Sequence, residues 1–321
     1  SPDGATLAYV AHDEAGEQHL WVRRLDESEP RRVPGSLEAE GPFFSPDGEW
    51  IGFAVAVSSN RHIPSELKKH SLSSGLTQSI CAVADFFGGS WTEAGDIWFV
   101  GAQPMGLQRV AGGSGEAERV VPEFLDEGEM QRKPVAWPQM LPGGTSLLLT
   151  VWEGRETGRL AIVDLENKEL RRLGVNATYA RYVPTGHLLY TTFDAKLMAA
   201  RFDAATGEVT GTPVALLEDV TLSGNGAAVL AVSRAGDLVY TTGPLLGTGF
   251  EPRRLVRIDR SGGVQPLPFE PDRFRRRAVP SPDGSRLAVA TADHNLWIYD
   301  LARGTRRKLP AGEVYDRDYP V

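Results

Sequence analysis

Short apolar runs of about four residues recur along the whole chain, and each one follows a turn that ends in glycine. The runs are rich in β-branched and aromatic residues, which is typical of β-strands. They are nearly continuous in apolar residues, which predicts strands that are buried on both faces. The runs occupy residues 7–10, 50–53, 97–100, 147–150, 188–191, 238–241 and 287–290.

The turns before these runs share a sequence. Three of them read Ser-Pro-Asp-Gly, which suits a type I turn, because Ser caps, Pro presets φ and Gly is favoured at the fourth position. All seven turns end in Gly, and successive glycines are 42 to 50 residues apart. A strand-rich repeat of this length predicts a β-propeller or a similar array. The turns lie near residues 1–4, 45–48, 92–95, 141–144, 183–186, 233–236 and 281–284.

Each repeat contains material for four strands. A second apolar strand follows the first, then a shorter, polar strand, and then a fourth strand that leads into the next turn, as in residues 41–44. One antiparallel sheet of this kind cannot bury both of its faces, whereas seven sheets arranged radially can. We therefore expect an all-β chain that forms a seven-bladed β-propeller of four-stranded antiparallel blades.

The two ends of the sequence suggest how such a ring would close. Residue 1 begins at the turn between an innermost strand and the second strand, and residues 316–321 resemble an innermost strand. We expect this C-terminal strand to complete the blade begun by residues 1–40, which would tie both termini into one sheet. Residues 1–321 would then form a single propeller domain, excised at a repeat boundary from a longer protein.

Composition limits the classes of partner. The chain has 321 residues, of which 41% are hydrophobic and 24% charged, and its net charge is −8. An acidic total disfavours non-specific binding of nucleic acid. No apolar run reaches the length of a membrane span, so we expect no membrane insertion by this domain. We also expect a monomer. Cys81 is the single cysteine, which excludes an intrachain disulfide and is interpreted as a buried apolar residue.

The repeat resembles that of PD40, or TolB-like (WD40-like), β-propellers, in which an aromatic residue, Ser-Pro-Asp-Gly and a short apolar strand follow one another, as in residues 44–53. Over nearly the whole chain, the order of motifs such as Gly-Gly-Ser-Trp at 88–91 and Trp-Pro-Gln-Met at 137–140 is similar to the C-terminal propeller of bacterial receptor-type serine/threonine protein kinases. The kinase motifs themselves are absent from the sequence. The resemblance implies a sensor or scaffold module of a membrane-anchored bacterial signalling protein, in the periplasm or at the cell surface; a cytoplasmic location stays open.

Motifs for catalysis or metal binding are absent from the sequence. There is no His-Glu-x-x-His, no cysteine-rich metal pattern and no Gly-x-Ser-x-Gly. His12 and His19 flank a predicted hairpin loop and are interpreted as ordinary surface histidines, and the Asp residues of the repeated turns as turn-stabilising. We therefore expect no catalytic residues, no metal and no cofactor.

A binding site is expected where the loops that enter the innermost strands of a propeller converge, at one mouth of the central channel. In this sequence those loops carry charged and aromatic side chains, which predicts a protein or a small polar ligand as partner; a hydrated channel with structural ion pairs is the alternative. We call this set the channel rim, and it consists of Glu38, Glu40, Asp85, Glu129, Arg132, Tyr179, Arg181, Arg276, Asp316, Arg317 and Asp318.

Two classes of function follow. The first is a non-catalytic module that binds a ligand or protein through the channel rim. The alternative is a propeller enzyme, a hydrolase or lyase, with a polar or metal site at the channel mouth. A sialidase Asp-box does not match, since Gly directly follows Asp in the repeated turns. Two basic clusters, residues 273–277 and 306–308, fit either solvated strands or an anionic partner.

Overall fold

The computed structural model describes most of the chain. The described residues form two compact units, one comprising Ser1–Val220 with Ala227–Thr241 and the other Thr221–Gly226 with Thr242–Val321. Apart from one 3₁₀ turn, Ala111–Gly113, all regular structure in the described part is β-strand. The described residues are 1–55, 65–102, 105–120, 135–153, 158–243, 254–258, 261, 263–272, 274–291 and 296–309.

The first unit contains strands β1 to β22. Their bounds are β1 Thr6–His12, β2 Gln18–Arg24, β3 Arg31–Arg32, β4 Ala39–Phe44, β5 Trp50–Val55, β6 Ser65–Ser71, β7 Thr77–Val83, β8 Gly89–Trp91, β9 Ile97–Ala102, β10 Met105–Val110, β11 Glu118–Val120, β12 Val135–Met140, β13 Ser146–Trp152, β14 Gly158–Asp164, β15 Leu170–Asn176, β16 Tyr179–Val183, β17 His187–Thr191, β18 Leu197–Asp203, β19 Glu208–Val209, β20 Val214–Leu217, β21 Leu230–Val232 and β22 Leu238–Tyr240.

The second unit contains the remaining strands of the described chain. They are β23 Val256–Ile258, β24 Val264–Pro266, β25 Phe274–Pro280, β26 Arg286–Thr291, β27 Leu296–Asp300 and β28 Thr305–Lys308. Strands β25–β26–β27–β28 form a four-stranded antiparallel sheet. Its core is small and centres on Phe269, Val289 and Tyr299, with the rings of Phe269 and Tyr299 packed edge to face at 4.8 Å between centroids.

Four consecutive repeats in the first unit form the predicted antiparallel meander. The sheets are β4–β5–β6–β7, β8–β9–β10–β11, β12–β13–β14–β15 and β16–β17–β18–β19, with β20 also paired to β18. The first sheet of the chain, β1–β2–β3, has three strands. The strand expected to complete it, residues 316–321, lies outside the described residues, so the closed ring of seven blades stays a prediction.

The sixth repeat departs from the pattern. It forms two separate two-stranded ladders, β21–β22 and β23–β24, instead of one sheet of four. Val239 and Tyr240 are 43% and 39% exposed, so the expectation that residues 238–241 are buried on both faces is wrong. Strands of three residues supply few ladder hydrogen bonds, and a two-stranded ladder has little apolar area to cover.

The seven repeated turns are confirmed in detail. In every one, the glycine N–H donates to the carbonyl three residues earlier, over 2.8–3.2 Å. The glycine φ angles lie between +68° and +97°, a region that L-residues with a Cβ adopt at a cost. In the Ser-Pro-Asp-Gly copies, the Ser hydroxyl oxygen also accepts the N–H of the residue five positions later, so that the turn is joined to the start of the next strand.

The core of the first unit lies between consecutive sheets. In β13, Leu147 and Leu149 pack towards the sheet that contains Trp98, whereas Leu148, which points the other way, packs towards the sheet that contains Leu188. Because successive side chains of a strand point to opposite faces, a sheet covered on both sides needs an almost uninterrupted apolar run. This arrangement explains the near-continuous apolar strands seen in the sequence.

Candidate binding site at the ends of the inner strands

The first strands of the four complete sheets of the first unit, here called the inner strands, are β4, β8, β12 and β16, and each lies against the next. Strands β4 and β8 run in the same direction. A residue further along β4 contacts a residue further along the segment that ends in β8, as two glycine–phenylalanine contacts show. A Cβ atom built on Gly41 would lie 2.6 Å from the Phe86 ring. A Cβ atom built on Gly89 would lie 2.7 Å from the Phe43 ring.

Hydrogen bonds show that β12 runs in the same direction as β8. The N–H of Trp137 donates to the Phe87 carbonyl at 2.8 Å, and three residues further on the N–H of Met140 donates to Ser90 Oγ at 2.9 Å. These bonds join different sheets, and they fix the start of β12 beside the residues that precede β8.

The fourth inner strand is attached by a reciprocal amide pair. Gln139 Nε2 donates to the Tyr182 carbonyl at 3.0 Å, and Gln139 Oε1 accepts the N–H of Tyr182 at 2.7 Å. Arg181 Nη1 donates to the Trp137 carbonyl at 3.3 Å and to the Ala180 carbonyl at 3.1 Å. The starts of all four inner strands therefore lie at one end of the first unit.

Trp137 has an unusual conformation at this end. Its φ is +59°, a region that a bulky residue rarely occupies, and it lies in a bulge of β12 between Ala136 and Gln139. The side chain is 6% exposed, and its indole Nε1 is buried without a hydrogen-bond partner among the described residues. Backbone strain of this kind is concentrated at functional sites. The sequence interpretation did not select Trp137, although Pro138 after it was a signal, since proline inside a strand marks an edge or a bulge.

Two residues of the predicted channel rim contact Trp137. Tyr179 is 8% exposed, and its ring centroid lies 6.0 Å from that of Trp137 at an interplanar angle of 58°. The guanidinium carbon of Arg181 lies 4.4 Å from the Tyr179 ring centroid, a cation–π contact. We refer to Trp137, Tyr179 and Arg181 as the Trp137 cluster.

Three acidic residues of the predicted rim lie where other inner strands begin. Glu38 is exposed, has φ +58° and precedes β4; Glu40 is half-buried within β4; and Asp85 is exposed, has φ +43° and precedes β8. Glu129, Arg132, Asp316, Arg317 and Asp318 lie outside the described residues, and the Arg276 side chain, in β25, does as well.

One basic cluster has clear partners in the second unit. Arg306 Nη1 donates to Asp272 Oδ2 at 2.5 Å and to the Tyr299 hydroxyl at 3.1 Å, and its guanidinium lies 4.6 Å from a Trp297 ring centroid. These contacts favour the interpretation of residues 306–308 as part of an ordinary sheet edge. In residues 273–277, Arg273 and the side chains that follow it lie outside the description.

The two histidines of the first hairpin differ in burial. His12 is exposed, as expected, but His19 is 7% exposed, so its interpretation as a surface histidine is wrong. His19 lies in β2, where it pairs with Ala11 of β1, rather than in the loop.

Comparisons with known proteins return structural likeness alone. No protein-family model matches the chain, and no curated protein matches it either. Among solved structures, a putative TolB from Agrobacterium tumefaciens is similar over 68% of this chain and 73% of that chain, with 15% identity and a TM-score of 0.47. A puromycin-hydrolyzing peptidase from Mycobacterium tuberculosis is similar over 83% and 40%, with 15% identity and a TM-score of 0.48.

A third similar structure is an oligogalacturonate lyase from Vibrio parahaemolyticus, over 99% of this chain and 78% of that chain, with 12% identity and a TM-score of 0.46. The chain spans about two-fifths of the length of the mycobacterial peptidase. At these identities the likeness carries no information about activity. The described part of the chain contains no helix of the length and apolar character that crossing a bilayer requires.

Proposed function

We propose that this chain is a TolB-like propeller that acts as a non-catalytic binding module, and that it takes a protein segment or a small polar ligand at the end of the inner strands. The observation that carries the proposal is the conformation of Trp137: a buried, strained residue whose indole N–H has no partner among the described residues. A buried donor without an acceptor is costly, and a ligand oxygen would remove that cost.

The surroundings of Trp137 suit a polar, partly anionic ligand. Arg181 brings a positive charge and is held by two carbonyls and the Tyr179 face, so it is preorganised. Aromatic walls with a few fixed polar groups are typical of ligand sites. These contacts hold Arg181 in place and activate no nucleophile, so we propose binding without a catalytic step. The acids Glu38, Glu40 and Asp85 would extend the contact surface.

Nitrogen-15 NMR of the labelled full chain tests this proposal, with glutarate, galacturonate, inorganic phosphate and triglutamate as probes. We expect at least one probe to bind and to shift the Trp137 indole N–H resonance. Arg181→Ala should weaken that binding at least ~10-fold, as for a charge-assisted contact, and Arg181→Lys by less. Adding Arg132→Ala should abolish it.

Arg234→Ala is the matched control, since Arg234 is an arginine of the first unit whose charge is paired with Glu93 instead. Its binding should equal that of the unaltered chain. The proposal is wrong if none of the four probes binds, or if Arg234→Ala weakens binding as much as Arg181→Ala does.

Its biological setting is a second part of the proposal. We propose that the domain is the extracytoplasmic portion of a membrane-anchored bacterial signalling protein such as a receptor serine/threonine kinase, and the support is the resemblance of the motif order. The coding sequence on either side of this segment tests it. A kinase domain followed by a membrane span upstream would support the assignment, and an uninterrupted hydrolase domain would contradict it.

A further inference from the structure

The first hairpin of the chain carries a compact group of metal-ligating atoms. Asp13, Glu17 and His19 each offer one ligand atom, and these three atoms all lie within 4.8 Å of one another. His19 Nε2 is 3.4 Å from Asp13 Oδ2 and 3.6 Å from Glu17 Oε2. Asp13 and Glu17 lie in the turn between β1 and β2, and His19 lies near the start of β2, so one short segment positions all three.

The imidazole in this group is buried and its nitrogen is unpartnered. His19 is 7% exposed, and its Nε2 has no hydrogen-bond partner among the described residues, although it points at both carboxylates. A charge-assisted hydrogen bond would place nitrogen and oxygen about 2.7–2.9 Å apart. The observed separations are too long for that bond, and a buried polar atom left in this state calls for a ligand.

The two separations from His19 Nε2 fit a shared metal ion better. Bonds of about 2.0–2.2 Å to nitrogen and oxygen in a tetrahedral zinc site place neighbouring ligand atoms roughly 3.3–3.5 Å apart. One imidazole and two carboxylates are ligands that suit zinc or manganese. Three protein ligands would leave at least one coordination position for water or a partner.

The turn preorganises one of the carboxylates. Asp13 Oδ1 accepts the N–H groups of Ala15 at 2.9 Å and Glu17 at 3.0 Å, which leaves Oδ2 directed at His19. Gly16, with φ +81°, allows the tight return of the chain.

The hairpin is anchored to the loop that carries Glu38. Gln18 lies between Glu17 and His19. Its Nε2 donates to the Ala39 carbonyl at 2.8 Å, and its own carbonyl accepts the Glu38 N–H at 2.8 Å. The group therefore lies beside the start of β4.

We propose that Asp13, Glu17 and His19 bind one divalent transition-metal ion, Zn²⁺ or Mn²⁺, at the tip of the first hairpin. This site is independent of the Trp137 cluster and of the ligand proposed there. A competing cation is Arg32, whose Nη1 lies 3.6 Å from Asp13 Oδ2 and whose side chain is 54% exposed.

Isothermal titration of the metal-free full chain with Zn²⁺, and separately with Mn²⁺, tests the proposal. We expect one ion per chain. Asp13→Asn, Glu17→Gln and His19→Gln should each weaken binding at least ~10-fold, because each removes one of three ligands. Asp13→Asn keeps the oxygen that the turn amides need, so the hairpin should stay folded, and circular dichroism checks this. Arg32→Gln should tighten binding, since it removes a competing positive charge.

His12→Gln and Glu14→Gln are the matched controls, because they alter an exposed histidine and an exposed acid of the same hairpin. They should leave the affinity within about two-fold of the unaltered chain, as expected for groups that are not ligands. Cobalt absorption provides a second measurement: a visible band that disappears in His19→Gln but persists in His12→Gln supports nitrogen ligation by His19. Absence of binding up to about 1 mM ion, or equal losses in the ligand and control variants, would overturn the proposal.

Discussion

A Cβ atom placed on Gly88 would lie 2.8 Å from Cε3 of Trp137 and 3.2 Å from its Cα. The glycine thus provides the space into which the strained tryptophan packs, and the Trp137 cluster depends on it. Its φ of +96° adds a second reason for glycine.

Gly88→Ala should therefore destabilise the first unit by more than backbone strain alone. Gly143 is a matched control, because its φ is also +96° but a Cβ there meets nothing within 4 Å. We expect Gly143→Ala to cost about 1 kcal/mol of unfolding free energy from the backbone, and Gly88→Ala a further ~1–3 kcal/mol from overpacking. Urea unfolding followed by tryptophan fluorescence measures both. Near-equal losses of unfolding free energy in the two variants would mean that Trp137 moves aside without a packing cost.

Acid titration of the last Ser-Pro-Asp-Gly turn is a second prediction. The hydroxyl of Ser281 donates to Asp283 and, as the largest contribution, lowers the pKa of that carboxyl group to about 2 from 3.8. Ser281→Ala should move this pKa up towards 3.8, and Ser285→Ala should move it less, because the Ser285 hydroxyl is a smaller contribution. Carbon-13 NMR of the Asp carboxyl groups measures the shift.

The sign for stability follows from the lowered value. A carboxyl group that is more acidic when folded stabilises the fold fully above its unfolded pKa, near 3.8, and loses that contribution as pH falls through about 2. The difference in stability between the unaltered chain and Ser281→Ala should therefore be larger at pH 7 than at pH 2. A difference that grows on acidification would contradict the assigned hydrogen bond.

The lone cysteine gives a third prediction. Burial raises the pKa of the Cys81 thiol to about 11. Because the thiolate is the reactive form, modification by a disulfide reagent at pH 8 should be roughly 100-fold slower than for a free cysteine. In strong urea the rate should return to that of a free thiol, and Cys81→Ser should give no signal. A folded-state rate that levels off near pH 8.5 would show instead that the thiol is solvated.

Sequence reasoning worked where structure is decided within a few residues. The glycine of each repeated turn takes a positive φ and closes an i to i+3 hydrogen bond, because both depend only on the tetrapeptide and its neighbours. Apolar runs also predicted the sheets buried on both faces, as Leu147 and Leu148 show by packing on opposite sides. The sixth repeat has the same local pattern, yet its described residues form two separate two-stranded ladders.

Local sequence and long-range packing thus determine different features of this chain. The amino-acid sequence alone determined the repeat, its turns and the antiparallel meander of the four complete sheets. The full channel rim stays a prediction. Only the tertiary structure decided that Trp137 is strained against Gly88 and contacts Tyr179, and that His19 is buried beside Asp13. The reason is that the contacts of Trp137 join strands distant in sequence, and the first hairpin packs on the loop before β4. Turn and strand propensities, in contrast, are properties of adjacent residues.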